Sequence, residues 1–297
     1  MTALSERLER KLYRALRNAC ERYELLQPGD RVMVAMSGGK DSYTLFELLR
    51  KLQPRLPFRI ELVAVHLDQR QPGYDGAPLR SFLEESGAAY EILSEDTYST
   101  VIEHTPEGGT YCALCSRLRR GILYTAAERL GCTKIALGHH RDDSLETFLM
   151  NAFYAGKLQA MPAKYRTNDG RFDVIRPLIG CSEKDIAAYA AEVGFPILPC
   201  NLCGSQDGLN REAMTQLLDT LEASNPNVRA ILANALENVR PTHLLDQDVA
   251  RAWAERAADI RPDTPVEPTA RRVAAQPVYA SGERVRLRLV PQGSAEE

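Results

Sequence analysis

The sequence predicts an α/β fold, a doubly wound and mostly parallel sheet that continues into a helical C-terminal extension. Apolar runs at residues 31–36, 59–67 and 134–138 are typical of strands that are buried on both faces. Segments with helical periodicity separate these runs. The strand, helix and strand that end at residue 67 form a βαβ unit with an expected right-handed crossover.

The remaining elements follow from the spacing of apolar residues. Residues 5–23 form an amphipathic helix, because Leu8, Leu12 and Leu16 recur on one face, and we expect this face to pack against the body of the protein. The other predicted elements are a helix near 77–86, a strand near 89–94, a helix over 110–130, a helix from Ser144 to Ala155, a loop with a short strand over 159–180, a helix from Ser182 to Val193, and helices up to about residue 257.

Composition and motif positions divide the chain into segments. Prolines interrupt a polar stretch at the C-terminal end that is poor in helix formers, which predicts a mobile, disordered tail. The predicted segments are an N-terminal helix at 1–27, a main domain at 28–215 that carries a phosphate loop and two cysteine pairs, C-terminal helices at 216–260, and the tail at 261–297.

The bulk composition is that of an ordinary globular protein. The chain has 297 residues, of which 44% are hydrophobic and 26% charged. No apolar run approaches the roughly 20 residues that a membrane span needs, and no signal peptide is recognisable, so we expect a cytoplasmic protein without a membrane partner. The net charge of −3 gives no global nucleic-acid footprint, but basic residues are concentrated over 112–141, which is compatible with RNA binding.

A glycine-rich turn follows the first strand and opens a helix. A turn of this kind directs backbone N–H groups and the positive end of a helix dipole toward a bound anion. Val34 stands where the common P-loop requires glycine, and Asp41 interrupts that motif, so this is a different phosphate loop. A tight strand-to-helix turn without a ligand is the alternative. We predict ATP binding by the loop residues Ser37, Gly38, Gly39, Lys40, Asp41 and Ser42.

A second polar group follows the strand at 134–138. Titratable side chains between a strand end and a helix start are well placed to face a nucleotide or Mg²⁺, and we predict this role for His139, Asp142 and Asp143. Asp142 also fits the N-cap of the helix that follows. The alternative for the adjacent histidines His139 and His140 is one core residue and one surface residue.

Two Cys-x-x-Cys pairs are present, Cys112 with Cys115 and Cys200 with Cys203. They lie too far apart in sequence for a compact zinc ribbon, in which roughly 15–20 residues separate the pairs. A metal that joins two distant loops, with zinc and iron–sulfur clusters both open, or a redox pair fits the spacing. Since an ATP site accompanies the thiols, the chain has the parts for inserting sulfur into an activated carbonyl. The other cysteines, Cys20, Cys132 and Cys181, are predicted to be structural.

Four motifs together are similar to those of the tRNA 2-thiocytidine synthetase (TtcA-type) family of PP-loop ATP pyrophosphatases. They are Ser37–Ser42, Tyr111–Gly121, Gly138–Asp143 and Pro199–Ser205, and the resemblance covers about residues 5–245. It implies an adenine nucleotide α-hydrolase-like fold with ATP, Mg²⁺ and a 4Fe-4S cluster held by three cysteines as cofactors. It also implies conversion of cytidine 32 to 2-thiocytidine by adenylation of the base carbonyl and sulfur insertion.

The resemblance further implies roles for individual residues and partners. Cys112 and Cys115 carry over as cluster ligands, and Cys203 is favoured over Cys200 as the third ligand. Asp41 and Cys200 are assigned catalytic roles. The implied partners are the tRNA anticodon loop, a cysteine desulfurase as sulfur donor, and a second copy of the chain in a homodimer. Basic residues after the first cysteine pair are placed near the RNA path: Arg117, Arg119 and Arg120.

Two other functions remain open at this point. One is synthesis of 2-thiouridine in tRNA, although the related enzymes usually carry extra terminal cysteine pairs that are absent before Cys20 and after Cys203. The other is a non-catalytic tRNA-binding protein stabilised by zinc, which would not require a preorganised phosphate loop.

Overall fold

A computed structural model describes residues 2–105, 111–198 and 206–255 of the chain. The helices in these ranges are α1 (Ala3–Arg22), α2 (Lys40–Leu52), α3 (Ala77–Ser86), α4 (Thr97–His104), α5 (Tyr111–Arg129), α6 (Arg141–Tyr154), α7 (Glu183–Val193), α8 (Gln206–Ser224), α9 (Val228–Glu237) and α10 (Gln247–Ala254). The strands are β1 (Arg31–Met36), β2 (Glu61–Asp68), β3 (Ala89–Ser94), β4 (Lys134–Ala136), β5 (Lys164–Arg166) and β6 (Asp173–Ile175).

The strands form one sheet in the order β3-β2-β1-β4-β6-β5. Neighbouring strands are parallel except β5, which pairs antiparallel with β6 at the edge. The chain moves outward from β1 to β3 on one side and then crosses to β4 on the other. The strand order therefore reverses between β1 and β4, where a crevice forms at the carboxyl ends of the strands. This topology confirms the predicted fold class.

The central strand β1 is buried on both faces, as its apolar run predicted. Val32 and Val34 face a core built with α1, α2, α3 and α7. Met33 points to the opposite face, where Ala126 and Ala127 of α5 pack against it. Burying a large aliphatic side chain contributes roughly 1.5–3 kcal/mol, so cores on both faces hold the crevice edge rigid.

The N-terminal helix packs against the body of the protein through the face that the sequence indicated. Leu12 and Leu16 of α1 are buried in the core on that side of the sheet. Lys11 forms an ion pair with Asp185 of α7, with 2.7 Å between Nζ and Oδ2. The amphipathic pattern of residues 5–23 therefore predicted both the helix and its buried face.

Several boundaries differ from the predicted ones. Helix α6 begins at Arg141, and its N-cap is His140, so the prediction of Asp142 as the N-cap was wrong. The reason is that the His140 ring accepts the first-turn N–H that a shorter polar side chain usually accepts. Helix α4 was not predicted. The region 159–180 contains the two strands β5 and β6 where one short strand was expected.

The chain divides into two compact units, residues 1–233 and 234–297. The first contains the whole sheet and the crevice. The predicted segments 1–27, 28–215 and 216–260 stay predictions, and the predicted mobile tail at 261–297 lies outside the described residues. In the described part of the chain, no helix is long and apolar enough to cross a membrane.

Candidate active site

The phosphate loop connects β1 to α2 at the carboxyl edge of the sheet. Gly38 adopts φ +82°, a conformation that favours glycine, and Gly39 is the N-cap of α2 without a side-chain cap bond. Hydroxyls hold the turn: Ser37 Oγ donates to Ser42 Oγ at 3.2 Å and accepts from the Gly39 N–H at 3.3 Å. Since first-turn N–H groups have no intrahelical acceptor, the loop is a preformed anion site.

Gly38 also lies against the segment that leads to the second cysteine pair. The Leu198 N–H donates to the Gly38 carbonyl at 2.9 Å. A Cβ atom at position 38 would lie only 2.8 Å from Leu198 Cδ1. The phosphate loop and Leu198 therefore pack closely because residue 38 has no side chain, and in sequence Leu198 shortly precedes Cys200.

Gly138 brings the second polar group against the phosphate loop. A Cβ atom at position 138 would lie 3.1 Å from the Asp41 carbonyl carbon and 3.2 Å from the Ser42 nitrogen. Both are backbone atoms of the first turn of α2 and cannot rotate away. A side chain at position 138 would therefore crowd the first turn of α2, and glycine allows the two motifs to lie side by side in one site.

The two oxygens of the Asp41 carboxylate have different surroundings. Its Oδ2 pairs with Lys40 Nζ at 3.2 Å, whereas Oδ1 is buried without a hydrogen-bond partner among the described residues. Burial raises the pKa of Asp41 above its ordinary value, and Lys40 and His140 offset only part of this effect. A buried acceptor without a donor is costly, so this oxygen suits a hard cation.

Lys40 is held between two carboxylates. Its Nζ lies 3.2 Å from Asp41 Oδ2 and 3.1 Å from Glu183 Oε1 at the start of α7. Burial alone would lower the pKa of Lys40, but Asp41 and Glu183 raise it, so the ammonium stays charged. A positioned cation at the mouth of an anion site is suited to contact phosphate oxygens.

His140 links the two motifs through the Nε2 side of its ring. The ring Nδ1 accepts from the backbone N–H of Asp143 at 3.4 Å. The backbone N–H of His140 donates to Asp143 Oδ2 at 2.9 Å, so the two residues form a reciprocal capping box. Its Nε2 lies 3.4 Å from Asp143 Oδ2 and 3.7 Å from Asp41 Oδ1. Because Nδ1 is an acceptor, the neutral ring carries its proton on Nε2, which faces the two carboxylates.

The sequence predicted that Asp142 faces a cofactor, whereas in the structure its carboxylate is paired with residues of the protein. Its side chain is only 3% exposed and accepts from Arg229 Nη1 at 2.9 Å and from the Glu183 N–H at 2.8 Å. Although burial opposes ionisation, Arg141, the Glu183 N–H and Arg229 hold the pKa of Asp142 below its ordinary value. Asp142 therefore anchors the N-termini of α6 and α7 to Arg229 of α9.

Helix α8 adds residues that no sequence motif marked. Arg211 Nη1 lies 3.6 Å from Asp143 Oδ1, and its Nε lies 3.7 Å from Glu146 Oε2. Thr215 Oγ1 donates to Glu146 Oε1 at 2.8 Å, and burial raises the pKa of this glutamate. These contacts join residues far apart in sequence, so no local pattern would reveal them.

His139 is a neutral, largely buried ring in this group. Burial lowers its pKa to about 4; Asp143 counteracts this effect, while Arg176 and Arg211 add to it. Its Nδ1 is buried without a hydrogen-bond partner among the described residues. The predicted cofactor-binding role of His139 stays a prediction.

The first cysteine pair lies at the start of α5. Cys115 Sγ donates to Oε1 of Gln69, which follows β2 at the same edge of the sheet, at 3.3 Å. Cys112 precedes it by three residues in the same helix. The predicted residues Cys200 and Cys203 lie outside the described residues.

The remaining described thiols are core residues, as predicted. Cys20, Cys132 and Cys181 are buried. Burial raises the pKa of Cys20 and that of Cys181 to about 12. Such thiols are protonated and unreactive at neutral pH.

The residues present fit the implied groups to different extents. For ATP the fit is direct, because the loop offers N–H groups, hydroxyls and Lys40 together. Among the described residues, no three His, Cys, Asp or Glu side chains converge as a metal site. The carboxylates of Asp41 and Asp143, which both lie near His140 Nε2, suit Mg²⁺, because this ion usually takes one or two carboxylates and completes its shell with phosphates and water. For an iron–sulfur cluster, the described side chains supply the Cys115 thiol, a ligand of the required soft type.

The site and the fold are those of a known class of nucleotide-binding protein. Residues 4–197 match the model of the PP-loop domain family. Over 249 residues the chain is 53% identical to the tRNA-cytidine(32) 2-sulfurtransferase of Anaeromyxobacter sp. (strain K), an alignment that covers 84% of this chain and 86% of that protein. The enzyme of the same name from Tolumonas auensis is 51% identical over 82% of this chain and 80% of its own length. The chain therefore belongs to the tRNA-cytidine(32) 2-sulfurtransferase family, which confirms the resemblance seen in the motifs.

One solved structure is similar over most of the chain. It is the U34-tRNA thiolase NcsA from Methanococcus maripaludis with its 4Fe-4S cluster, with a TM-score of 0.62 and 24% identity over 78% of each chain. At this identity the similarity shows the fold, a PP-loop α/β sheet.

Proposed function

We propose that this protein is an ATP-dependent tRNA sulfurtransferase that converts cytidine 32 of the anticodon loop to 2-thiocytidine. The observation that carries this proposal is the position of the Asp41 carboxylate. Its buried Oδ1 has no hydrogen-bond partner among the described residues and lies beside both the phosphate loop and His140. Membership of the 2-sulfurtransferase family supports the choice of substrate.

In the first step the O2 atom of cytidine attacks the α-phosphorus of ATP. An O–P bond forms, the bond from that phosphorus to the β-phosphate oxygen breaks, and pyrophosphate leaves. The loop N–H groups and Lys40 hold the phosphates, and preorganised donors of this kind stabilise developing charge. The base carbonyl oxygen is thereby converted into part of an AMP leaving group.

Asp41 and Asp143 are the residues that would hold Mg²⁺, which neutralises phosphate charge when bound. His140 Nε2 lies near both carboxylates, 3.7 Å from Asp41 Oδ1 and 3.4 Å from Asp143 Oδ2. Asp142, predicted as a cofactor residue, is proposed instead to act through its anchoring of α6. His139 is proposed to border the nucleotide as a neutral ring.

In the second step sulfur at the oxidation level of sulfide attacks C2 of the activated base. The C2–S bond forms, the C2–O bond breaks, AMP leaves, and the proton of the hydrosulfide is released. A 4Fe-4S cluster, when bound by Cys112, Cys115 and Cys203, supplies a site at which such sulfur is held. Cys200 is proposed as a catalytic thiol beside it.

The proposal includes the partners that the motifs implied. A cysteine desulfurase supplies the sulfur, the protein acts as a homodimer in the cytoplasm, and the anticodon loop is the part of tRNA that enters the site. Arg117 and Arg120, exposed on α5 after Cys115, are proposed to contact phosphates of this RNA.

Nucleoside mass spectrometry of total tRNA from a strain that lacks the gene tests the function. We expect 2-thiocytidine to disappear and to return with the wild-type gene but not with Asp41→Asn or Cys112→Ala. Loss of a 2-thiouridine instead would keep the adenylation chemistry and replace the substrate. Zinc without iron after anaerobic purification, together with no AMP release on adding tRNA, would favour the non-catalytic zinc protein.

A further inference from the structure

Large apolar side chains are exposed together at the end of α6. Phe153 and Tyr154 are each 60% exposed, and Leu158 in the turn that follows is 71% exposed. A single exposed apolar residue needs no explanation. Three such residues within one short segment form an apolar surface, and surfaces of this kind on soluble proteins usually mark a binding site.

Hydrogen bonds to Asn151 hold this segment in a defined shape. The Lys157 N–H donates to the Asn151 carbonyl at 3.0 Å, and Asn151 Nδ2 donates to the Gln159 carbonyl at 2.8 Å. The turn after α6 is therefore folded back along its own helix. The apolar side chains are presented on a preorganised support, which reduces the entropy cost of binding.

The same segment leads back toward the active site. Ser144 Oγ, in the first turn of α6, donates to the Met161 carbonyl at 3.3 Å. Helix α6 rises about 1.5 Å per residue, so Phe153 lies about 15 Å along the helix from Asp143. A ligand that reaches both places must therefore be large, as a nucleic acid is.

The charges around the surface select the kind of partner. Residues 147–166 contain no aspartate or glutamate. Lys157 is exposed in the turn between Tyr154 and Leu158, whereas Lys164 and Arg166 lie on β5 and pair with Asp173. Two exposed aromatic rings followed by an exposed lysine match single-stranded RNA, whose bases stack on rings while its phosphates contact cations.

We propose that Phe153, Tyr154, Lys157 and Leu158 form an RNA-stacking surface that receives unpaired bases of the anticodon loop. This inference rests on the proposed function and deepens it, because it assigns a place for the part of the tRNA that is not chemically changed. The surface contributes to tRNA affinity and not to ATP affinity.

The test uses the full-length protein and unmodified tRNA transcript. We expect Phe153→Ala combined with Tyr154→Ala to weaken tRNA binding at least tenfold in fluorescence anisotropy, because removal of a stacking ring usually has an effect of this size. ATP affinity and the unfolding midpoint should stay unchanged, because both side chains are exposed. Leu245→Ala, at a residue that is 97% exposed, is the matched control and should leave tRNA binding unchanged.

Lys157→Ala tests the charge separately. It should reduce the slope of log affinity against log salt by about one, because one phosphate contact is lost, whereas Arg80→Ala on α3 should not. Unchanged tRNA affinity in the aromatic double variant would overturn the inference. So would a loss of affinity that accompanies loss of a dimer in sedimentation, since the surface would then join two copies of the chain.

The outcome for wild type separates this inference from the function it rests on. If the wild-type protein thiolates tRNA and the aromatic double variant does so with unchanged tRNA KM, only the stacking surface is wrong. If wild type neither binds nor thiolates tRNA, the proposed function fails and the stacking surface fails with it.

Discussion

Arg229 Nη1 lies 2.9 Å from Asp142 Oδ1, and both side chains are almost completely buried. The same guanidinium reaches Asp219 Oδ1 at 2.7 Å and Glu222 Oε2 at 3.2 Å. Arg229 of α9 therefore holds the first turn of α6 through Asp142. Asp143, which directly follows Asp142, lies in the same turn.

Arg229→Met should destabilise the fold by about 2 kcal/mol, because it removes one of the two arginines that pair with the buried Asp142 carboxylate and leaves only Arg141. Urea unfolding measures this change. Arg251→Met, at an exposed arginine of α10, is the matched control and should change stability by less than about 0.5 kcal/mol. If Asp142→Asn lowers the free energy of unfolding by the same amount in the Arg229→Met variant as in wild type, the two residues are not coupled.

Gly38→Ala should weaken ATP binding and destabilise the protein for two separable reasons. The positive φ of residue 38 costs an alanine about 1 kcal/mol, and its Cβ would contact Leu198. Gly29→Ala is a close control, because Gly29 has φ +81° and open space around its Cβ position. Because the added Cβ would contact Leu198, the second change Leu198→Ala should restore part of the ATP affinity that Gly38→Ala loses. Calorimetric titration with ATP measures this affinity. Equal behaviour of the two glycine variants would exclude the contact.

Asp41→Asn should abolish thiolation without loss of stability. Burial raises the pKa of Asp41 above its ordinary value near 3.8, so the folded state binds this proton more tightly than the unfolded state. Ionisation then costs stability, and wild type loses stability relative to Asp41→Asn as the pH rises above about 4. Denaturant unfolding at several pH values measures the difference, with the exposed Asp248→Asn as control. A variant that retains activity would remove Asp41 from the mechanism.

His139 should make stability depend on pH between about 4 and 6.5. Its folded pKa of about 4 is below the ordinary value of 6.5, so only the unfolded state takes up the proton in this window. Stability therefore falls as the pH is lowered, by at most about 3 kcal/mol from this group. Comparison of His139→Gln with wild type should show a flatter profile, while His104→Gln, at an exposed histidine, should reproduce wild type. Parallel profiles for wild type and His139→Gln would contradict the expectation.

Cys115→Ala should remove the iron and inorganic sulfide of anaerobically purified protein. Cysteine sulfur is the ligand that iron–sulfur clusters take, and the Cys115 side chain lies beside Gln69, which follows β2 at the carboxyl edge of the sheet. Cys132→Ala removes a buried thiol of the core and should retain the full iron content. Metal and sulfide analysis decides between them. Iron retained in Cys115→Ala would exclude this residue as a ligand.

The sequence was a good guide wherever a signal is local. The bounds of α3 and β3 were predicted as they occur, because turn residues flank a strongly periodic segment. The phosphate loop was also predicted correctly in position, because its signal is one contiguous motif between a strand and a helix. The start of α6 was misplaced because histidine is an uncommon N-cap, whereas Asp142 is of a preferred type.

What could not be predicted depends on contacts between distant parts of the chain. Arg229 and Asp142 are separated by much of the sequence, as are Arg211 and Asp143, and neither pair has a local pattern. The burial that alters the pKa of Asp41 and that of His139 arises from the packing of several elements. Such properties belong to the tertiary structure.

The hydrogen bond from Leu198 to Gly38 makes the nucleotide site and the neighbouring segment thermodynamically reciprocal. A ligand that stabilises one position of the phosphate loop also stabilises the matching position of Leu198. The coupling free energy is the same in both directions. Conversely, whatever binds to the chain next to Leu198 changes the affinity for nucleotide by an equal factor. Under the proposed function, one backbone contact would then link the supply of energy to the supply of sulfur.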